Sequence, residues 1–184
     1  MKCAAALVLA VVLGFGSPAH AQTPAPAQWG LVQSTLTWHI MHPMHDVDGT
    51  SHDAKGKAIC AGGFCDFLIA VPVNTFHSGD SNRDLHMIQT VRGADFPMVV
   101  VRTRIPESEM NSATIDADLE VQFAGQTAHY SYVLFQRTQK GSEVEITGSV
   151  PATCSDFKID RPSFLTVPIR NEIPVTVDTT WKPM

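Results

Sequence analysis

The chain has 184 residues with 13 Lys or Arg against 18 Asp or Glu, which gives a net charge of −5 at pH 7. Nucleic acids and anionic membrane surfaces select clustered basic residues, and the sequence contains no basic stripe. We therefore expect neither as a partner. The length is sufficient for one domain with an extensive core. The sequence is also compatible with a homodimer.

Residues 1–21 have the pattern of a cleaved export signal. Met1-Lys2 supplies a positive charge, Ala4–Val12 is an apolar run, and Ala19-His20-Ala21 is a small-x-small cleavage site. The apolar run is shorter than the roughly 20 residues that span a bilayer, and no second such run follows it. We therefore predict a periplasmic protein, exported through a cleaved signal peptide, with no stable membrane insertion.

Residues 22–28 are rich in proline and alanine, and we predict a flexible lead-in there, before a single domain at 29–184. Much of that domain alternates between apolar and polar residues with a period of two, as strands with one buried face do. The clearest run is 113–123. The same alternation recurs in Leu36/Trp38/Ile40, Phe67/Ile69/Val71/Val73, Val99/Val101, Tyr130/Tyr132/Leu134, Val144/Ile146, Leu165/Val167/Ile169 and Ile173/Val175/Val177. About eight strands joined by short turns predict an all-β fold, an antiparallel barrel or sandwich.

One segment, residues 81–91, is predicted to be a short helix. Met87, Ile88 and Val91 follow helical spacing, and Ser81 with Asp84 fits a helix start. A lone helix among antiparallel strands usually closes one end of a barrel. The interior of an eight-stranded barrel holds either packed side chains or one small ligand. The residues favour neither alternative, but any cavity would be apolar and would suit a hydrocarbon chain.

Three cysteines follow the predicted signal. Cys60 and Cys65 bracket the sequence AGGF between two strand-like runs, so we predict a disulfide across a hairpin. Closing so small a loop would stabilise the fold by about 2 kcal/mol. Cys154 is predicted to be a free thiol. A redox-active pair is disfavoured, since the sequence has no C-x-x-C and no helix start beside either cysteine.

The segment WHIMHPMHD suggests an alternative function. His39, His42 and His45 stand with two methionines within seven positions, and imidazole with thioether suits copper. On a continuous strand, however, His39 and His42 point to opposite faces. We therefore expect no metal, and keep a periplasmic copper- or zinc-binding carrier built on residues 39–45 as the alternative. The competing interpretation is a polar strand end at the barrel mouth.

Asn74–Pro97 resembles the signature of the YceI-like family, which consists of lipocalin-like periplasmic barrels that bind polyisoprenoid lipids. The matching residues are Ser78, Gly79, Asn82, Arg83, Asp84, His86 and Met87, followed by Phe96 and Pro97. Thr35–Gly49 is similar to the family's opening strand and its histidine, here His42. Cys154–Leu165 is similar to a late family element.

The resemblance extends from Trp29 to Trp181 and departs from the family in three places. Lys158 replaces the usual glycine after Phe157, the sequence GTSHDAKG stands in place of a G-x-F pattern, and Cys60 and Cys65 are unusual. The resemblance implies a single eight-stranded lipocalin-like β-barrel that binds or carries a long apolar ligand. That ligand would be the isoprenoid chain of a quinone or polyprenyl lipid, with no cofactor apart from such a bound lipid. A barrel without any ligand, acting as an interaction module, is a further alternative.

The inward faces of the strands, together with the helix and loop that the family places at the barrel end, suggest the ligand-binding residues. They are Trp38, Ile40, His42, Phe76, Met87, Phe96, Val99, Val101, Phe123 and Tyr132. The sequence does not decide which face of its strand Tyr132 occupies, because Val133 and Phe135 on the opposite face are apolar as well. The resemblance implies that Arg83, Asp84 and His86 organise the helix and its junction with the barrel. No nucleophile accompanies them in a known arrangement, so we expect no catalytic residues and no enzymatic activity.

Overall fold

The computed structural model of the protein describes residues 25–42, 45–164 and 167–184. The predicted signal peptide and residues 22–24 of the lead-in lie outside these ranges. The described strands are β1 Ala27–His42, β2 His45–Ser51, β3 Lys55–Ala61, β4 Phe64–Pro72, β5 Met98–Pro106, β6 Thr114–Phe123, β7 Gln126–Lys140, β8 Glu143–Val150, β9 Ser163–Phe164, β10 Val167–Pro168 and β11 Val175–Pro183. One α-helix, α1, spans Ser81–Thr90, and no helix within the described ranges is long and apolar enough to cross a membrane.

The strands form a closed antiparallel barrel, because β11 pairs with β8 on one side and with β1 on the other. β2 and β3 act as one interrupted strand beside β1. Leu36 pairs with Ser51 and Ala27 pairs with Cys60, which continues a single antiparallel register. Counting β2 and β3 together, the barrel has eight strands, so the predicted fold is confirmed. β1 begins at Ala27, two residues before the expected start of the domain.

Two bulges shift the inward face of a strand by one residue. In β1 the register changes between Leu31 and Gln33, and in β7 it changes opposite Ala117 and Leu119. The β7 bulge contains Tyr132, which has a φ of 60°. A bulge inserts an extra residue and therefore reverses the alternation beyond it.

The bulge in β7 corrects one expectation. Tyr130 faces the interior before it, and the buried residues Val133 and Phe135 do so after it. Tyr132 lies at the bulge and is 80% exposed. The expectation that Tyr132 faces the barrel interior is wrong.

The run Leu165/Val167/Ile169 does not form a barrel strand as expected. β9 and β10 form a separate two-stranded sheet of two residues each, in which Val167 is 42% exposed, and Leu165 lies outside the described residues. The eighth strand of the barrel is instead formed by β2 and β3, which follow one another along β1.

One end of the barrel is closed by packed side chains. The β3–β4 turn lies there, with Gly62 and Gly63 at φ values of 62° and 85°, which a two-residue hairpin turn of this kind requires. Beside it the rings of Phe67 and Trp181 meet edge to face, with centroids 5.2 Å apart. Since β4 runs away from this turn, α1 lies at the opposite end, which we call the open end.

Candidate ligand-binding cavity

The barrel interior contains a cavity of about 500 Å³ rather than a filled core. Its walls come from inward-facing positions on the barrel strands, where period-two alternation places apolar side chains. The principal wall residues are Leu36, Trp38, Ile40, Phe67, Ile69, Val71, Val99, Val101, Leu119, Val121, Phe123, Ile146, Val175 and Val177. Such a lining favours hydrocarbon over a polar metabolite.

Seven of the ten predicted ligand-binding residues lie on this lining. They are Trp38, Ile40, Phe76, Met87, Val99, Val101 and Phe123. Phe96 does not lie there: its ring packs under the Arg92 guanidinium, 4.8 Å from the ring centroid, and against Gly125. Tyr132 is on the outer surface, and the side chain of His42 lies outside the described part of the chain.

The mouth of the cavity lies at the open end, beside α1. Of the lining residues that the structure describes, only Arg83, His86 and Ser163 are exposed. Arg83, His86, Met87 and Thr90 share one face of the helix, because residues three and four apart are neighbours on a helix surface. The helix therefore places Met87 on the apolar wall and two nitrogen-bearing side chains at the rim.

The start of α1 is held by a hydrogen-bond network. α1 begins at Ser81 with Asp84 in its first turn, as the sequence pattern predicts, and Asp80 caps it by accepting from the backbone N–H groups of Asn82 and Arg83. Asp84 accepts from the backbone N–H of Ser78 at 2.8 Å and from its hydroxyl. Burial alone would raise the pKa of Asp84, but the hydrogen bonds from Ser78 and His77 outweigh it, so this pKa lies below its ordinary value.

The sequence matches no protein-family model and no curated protein significantly, whereas several solved structures resemble the fold. A polyisoprenoid-binding domain from Saccharophagus degradans, implicated in plant cell wall breakdown, aligns with a TM-score of 0.71 and 9% identity over 85% of this chain and 98% of its own. BcnA of Burkholderia cenocepacia aligns with a TM-score of 0.68 and 12% identity over 80% of this chain and 95% of its own. The Campylobacter jejuni YceI protein aligns with a TM-score of 0.61 and 11% identity over 76% of this chain and 86% of its own. The chain has the YceI-like fold.

Within this YceI-like fold, a polar pair joins the barrel wall to the segment after β8. The Tyr130 hydroxyl donates to Asp156 Oδ2 at 2.7 Å, and Asp156 also accepts from the backbone N–H of Thr153. Phe157 follows and meets Phe123 edge to face, with centroids 5.2 Å apart. Burial, with the hydrogen bond to Asp156, raises the pKa of Tyr130. These contacts bring the segment over the cavity.

That segment supplies lining residues that the sequence pattern did not indicate. They are Ala152, Cys154, Phe157, Ile159, Pro162 and Ser163, whereas Ile169 and Ile173, which also line the cavity, belong to alternating runs of the sequence. The segment contains no long strand or α-helix, so no period could reveal its inward face. Phe135 was missed for a different reason, since it follows the bulge at Tyr132. The YceI-like resemblance of Cys154–Leu165 was the available signal for this part of the wall.

The predicted disulfide is confirmed. Cys60 and Cys65 are partners across the β3–β4 hairpin and are bonded to each other. Cys154 is a free thiol with 3% of its surface exposed. Burial raises the pKa of the Cys154 thiol, which keeps it protonated and poorly nucleophilic at neutral pH.

Of the three histidines of the alternative metal site, the structure describes the side chain of His39 alone. His39 lies on the outer face, where Nδ1 is 2.8 Å from Asp48 Oδ1 and Nε2 is 2.8 Å from Thr176 Oγ1. Both ring nitrogens are thus engaged. Within the described ranges, no three His, Cys, Asp or Glu side chains are grouped to hold a metal ion. The structure does not describe the side chains of His42 and His45, so copper or zinc binding stays an untested alternative.

Proposed function

We propose that the protein is a periplasmic, YceI-like carrier of one long apolar chain, an isoprenoid such as the tail of a quinone or polyprenyl lipid. The observation that carries this proposal is the apolar cavity of about 500 Å³ inside the barrel, with a polar mouth at one end. The binding of polyisoprenoid by the Saccharophagus domain, which shares the fold, supports it. The Cys60–Cys65 disulfide supports export, because such bonds persist in oxidising compartments.

The cavity volume limits how much of the chain is buried. Taking roughly 30 Å³ for each water-sized group, a volume of about 500 Å³ holds on the order of 15 carbon atoms, or about three isoprene units. At about 0.8 kcal/mol per buried CH₂, this burial contributes on the order of 10 kcal/mol before the costs of association. The remainder of a longer chain would extend through the mouth.

The lining favours binding over catalysis. The hydroxyl of Tyr130 is committed to Asp156, and the thiol of Cys154 is protonated and buried. Arg83 and His86 have no nucleophile placed beside them in a known catalytic arrangement. We therefore infer a carrier rather than an enzyme.

The experiment compares two substitutions on the same strand, β5. Val101 lines the cavity, whereas its neighbour Val100 points to the other face and is absent from the lining. Val101→Trp should fill part of the cavity without adding polarity, and Val100→Trp serves as the control for bulk. Lipid extracted from protein purified out of its native compartment is quantified by mass spectrometry, and the folding of each variant is checked by thermal unfolding.

We expect the Val101→Trp variant to retain several-fold less prenyl lipid than the parent, and the Val100→Trp variant to retain the parental amount. If a folded Val101→Trp variant carries as much lipid as the parent, the ligand does not occupy this cavity. If the parent yields no lipid and binds no added prenyl compound, the carrier function fails and only the fold remains. Metal analysis of the same samples, with a variant in which His39 and His45 are both alanine, tests the copper or zinc alternative.

A further inference from the structure

Arg83 at the cavity mouth carries a positive charge and makes no direct ion pair with a carboxylate among the described residues. Its Nε donates to Ser78 Oγ at 2.8 Å and its Nη2 donates to the Ser78 backbone carbonyl at 2.9 Å. Both acceptors are neutral. The neighbouring carboxylate of Asp84 is directed to Ser78 and His77 instead. The guanidinium is therefore held in position by neutral acceptors, with no direct ion pair and with Nη1 available to donate; the Ser78 hydroxyl connects it to the carboxylate of Asp84.

His86 lies one helical turn further along, on the same face of α1 and on the same rim. Neither of its ring nitrogens has a hydrogen-bond partner within the ranges that the structure describes. The hydroxyl of Thr90, the next polar group on this face, is already committed to the backbone carbonyl of His86. Residues at i and i+3 are close enough on a helix for both side chains to contact one small group.

We propose that Arg83 and His86 bind an anionic oxygen-bearing head group, so that the ligand is a single-chain anionic amphiphile. This inference rests on the proposed carrier function. The apolar walls would hold the hydrocarbon, which leaves the head at the mouth, where the exposed lining residues lie. A guanidinium forms strong charge-assisted hydrogen bonds with phosphate and carboxylate. A prenyl phosphate and a fatty acid share this chemistry.

The test uses two pairs of probes that differ only in the head group. The prenyl pair is geranylgeraniol and geranylgeranyl phosphate, and the acyl pair is hexadecanol and hexadecanoate. Affinities are measured at low salt by competition with a fluorescent hydrocarbon probe. In at least one pair, the anionic member should bind about ten-fold more tightly than the neutral member. This advantage should decrease as salt is added, because the mouth is exposed to solvent.

Three variants assign the effect to the mouth. Arg83→Gln should reduce the advantage of the anionic probe to about two-fold or less, and His86→Gln should reduce it in the same direction. Arg104→Gln removes the same charge from the outer face, where Arg104 lies 3.7 Å from Asp66, and should leave the advantage unchanged. Because Arg83→Gln also removes contacts with Ser78, His86→Gln is the cleaner variant: it breaks no hydrogen bond made by the imidazole in the described structure.

The outcomes separate this inference from the function on which it rests. Neutral and anionic probes binding the parent equally well would overturn the inference while leaving the carrier function intact. An advantage that survives in both Arg83→Gln and His86→Gln would also overturn it. If none of the four probes binds the parent, the carrier function itself fails. An advantage confined to the prenyl pair identifies a prenyl phosphate. One confined to the acyl pair upholds the role of Arg83 and His86 but replaces the isoprenoid of the proposed function by a fatty acid.

Discussion

The indole of Trp38 lies over Gly49, its partner across the β1–β2 hairpin. A Cβ atom at residue 49 would lie 2.2 Å from Cζ2 and 2.6 Å from Nε1 of Trp38. The missing side chain at Gly49 therefore provides the space in which the indole forms part of the cavity wall. Trp38 Nε1 is buried without a hydrogen-bond partner in the described residues, so packing rather than hydrogen bonding positions the ring.

Substitution of Gly49 by alanine should displace the indole. A ring cannot move aside as easily as a flexible chain end, so we expect Gly49→Ala to lower the free energy of unfolding by about 1–3 kcal/mol. The displaced ring should also weaken the binding of a geranylgeranyl probe. Urea unfolding followed by fluorescence measures the first effect, and titration with the probe measures the second.

Gly30→Ala is the matched control, since a Cβ there would meet only the exposed side chain of Met184. It should change the free energy of unfolding by no more than about 0.5 kcal/mol. If Gly49→Ala is as stable as Gly30→Ala and binds the probe as the parent does, the indole is not held by the space at Gly49.

The alternation of apolar residues was sufficient to predict a barrel and most of its wall, but it failed where the backbone departs from regular pairing. Leu36, Trp38 and Ile40 face inward as expected, because they follow the bulge near Val32 in an uninterrupted run. Tyr132 does not, because the bulge at its own position reverses the alternation. No residue type near Tyr132 marks this bulge. It depends on pairing with β6, where Asp118 accepts a hydrogen bond from the backbone N–H of Tyr132.

The segment that covers the open end was predictable only through the family resemblance. Its position is determined by tertiary contacts such as the hydrogen bond between Tyr130 and Asp156, which are 26 residues apart in the chain. Phe157 and Ile159 reach the cavity from this segment without sharing a strand or a helix. Local sequence periodicity carries no information about such contacts.

Tyr130 should make the stability of the protein fall at alkaline pH. Tyrosine in an unfolded chain titrates near pH 10, and burial together with Asp156 raises the pKa of Tyr130 in the folded state. The unfolded state therefore releases this proton first. The stabilisation is complete below about pH 10 and is lost progressively as the pH rises above that value. Tyr130→Phe should lose less stability than the parent between about pH 9 and 11, as measured by urea unfolding.

The same substitution should cost about 1–2 kcal/mol at neutral pH, because Asp156 loses a donor in a half-buried site. The chain has two tyrosines, so Tyr132→Phe leaves Tyr130 as the only one. This variant is the control for stability, and its absorbance reports phenolate formation at Tyr130 alone. Phenolate appearing below about pH 10 in the folded variant would contradict a buried, hydrogen-bonded Tyr130.

The Cys60–Cys65 disulfide should stabilise the folded protein, and Cys154 should take no part in it. Replacing both Cys60 and Cys65 by serine should lower the free energy of unfolding by about 2 kcal/mol, because the unfolded hairpin gains conformational freedom. In the exported parent, from which the signal containing Cys3 has been cleaved, alkylation of the native state should label no cysteine, since Cys154 is buried. Labelling after unfolding should modify Cys154 alone. Peptide mapping that links Cys154 to either hairpin cysteine would show that the pairing is wrong.

Lys158 should be replaceable by glycine with a gain in stability. It ends the short helical turn Ser155–Phe157 in the left-handed region, at φ 51° and ψ 37°, and it occupies the position where the YceI-like sequence element has glycine. A left-handed conformation costs an ordinary L-residue about 1–2 kcal/mol, whereas glycine loses roughly 0.5–1 kcal/mol of extra chain entropy on folding. Lys158→Gly should therefore raise the free energy of unfolding by about 0.5–1 kcal/mol in urea. Lys158→Ala removes the same charge but keeps the strain, so it should show no such gain, and equal stability of the two variants would refute the role assigned to the backbone.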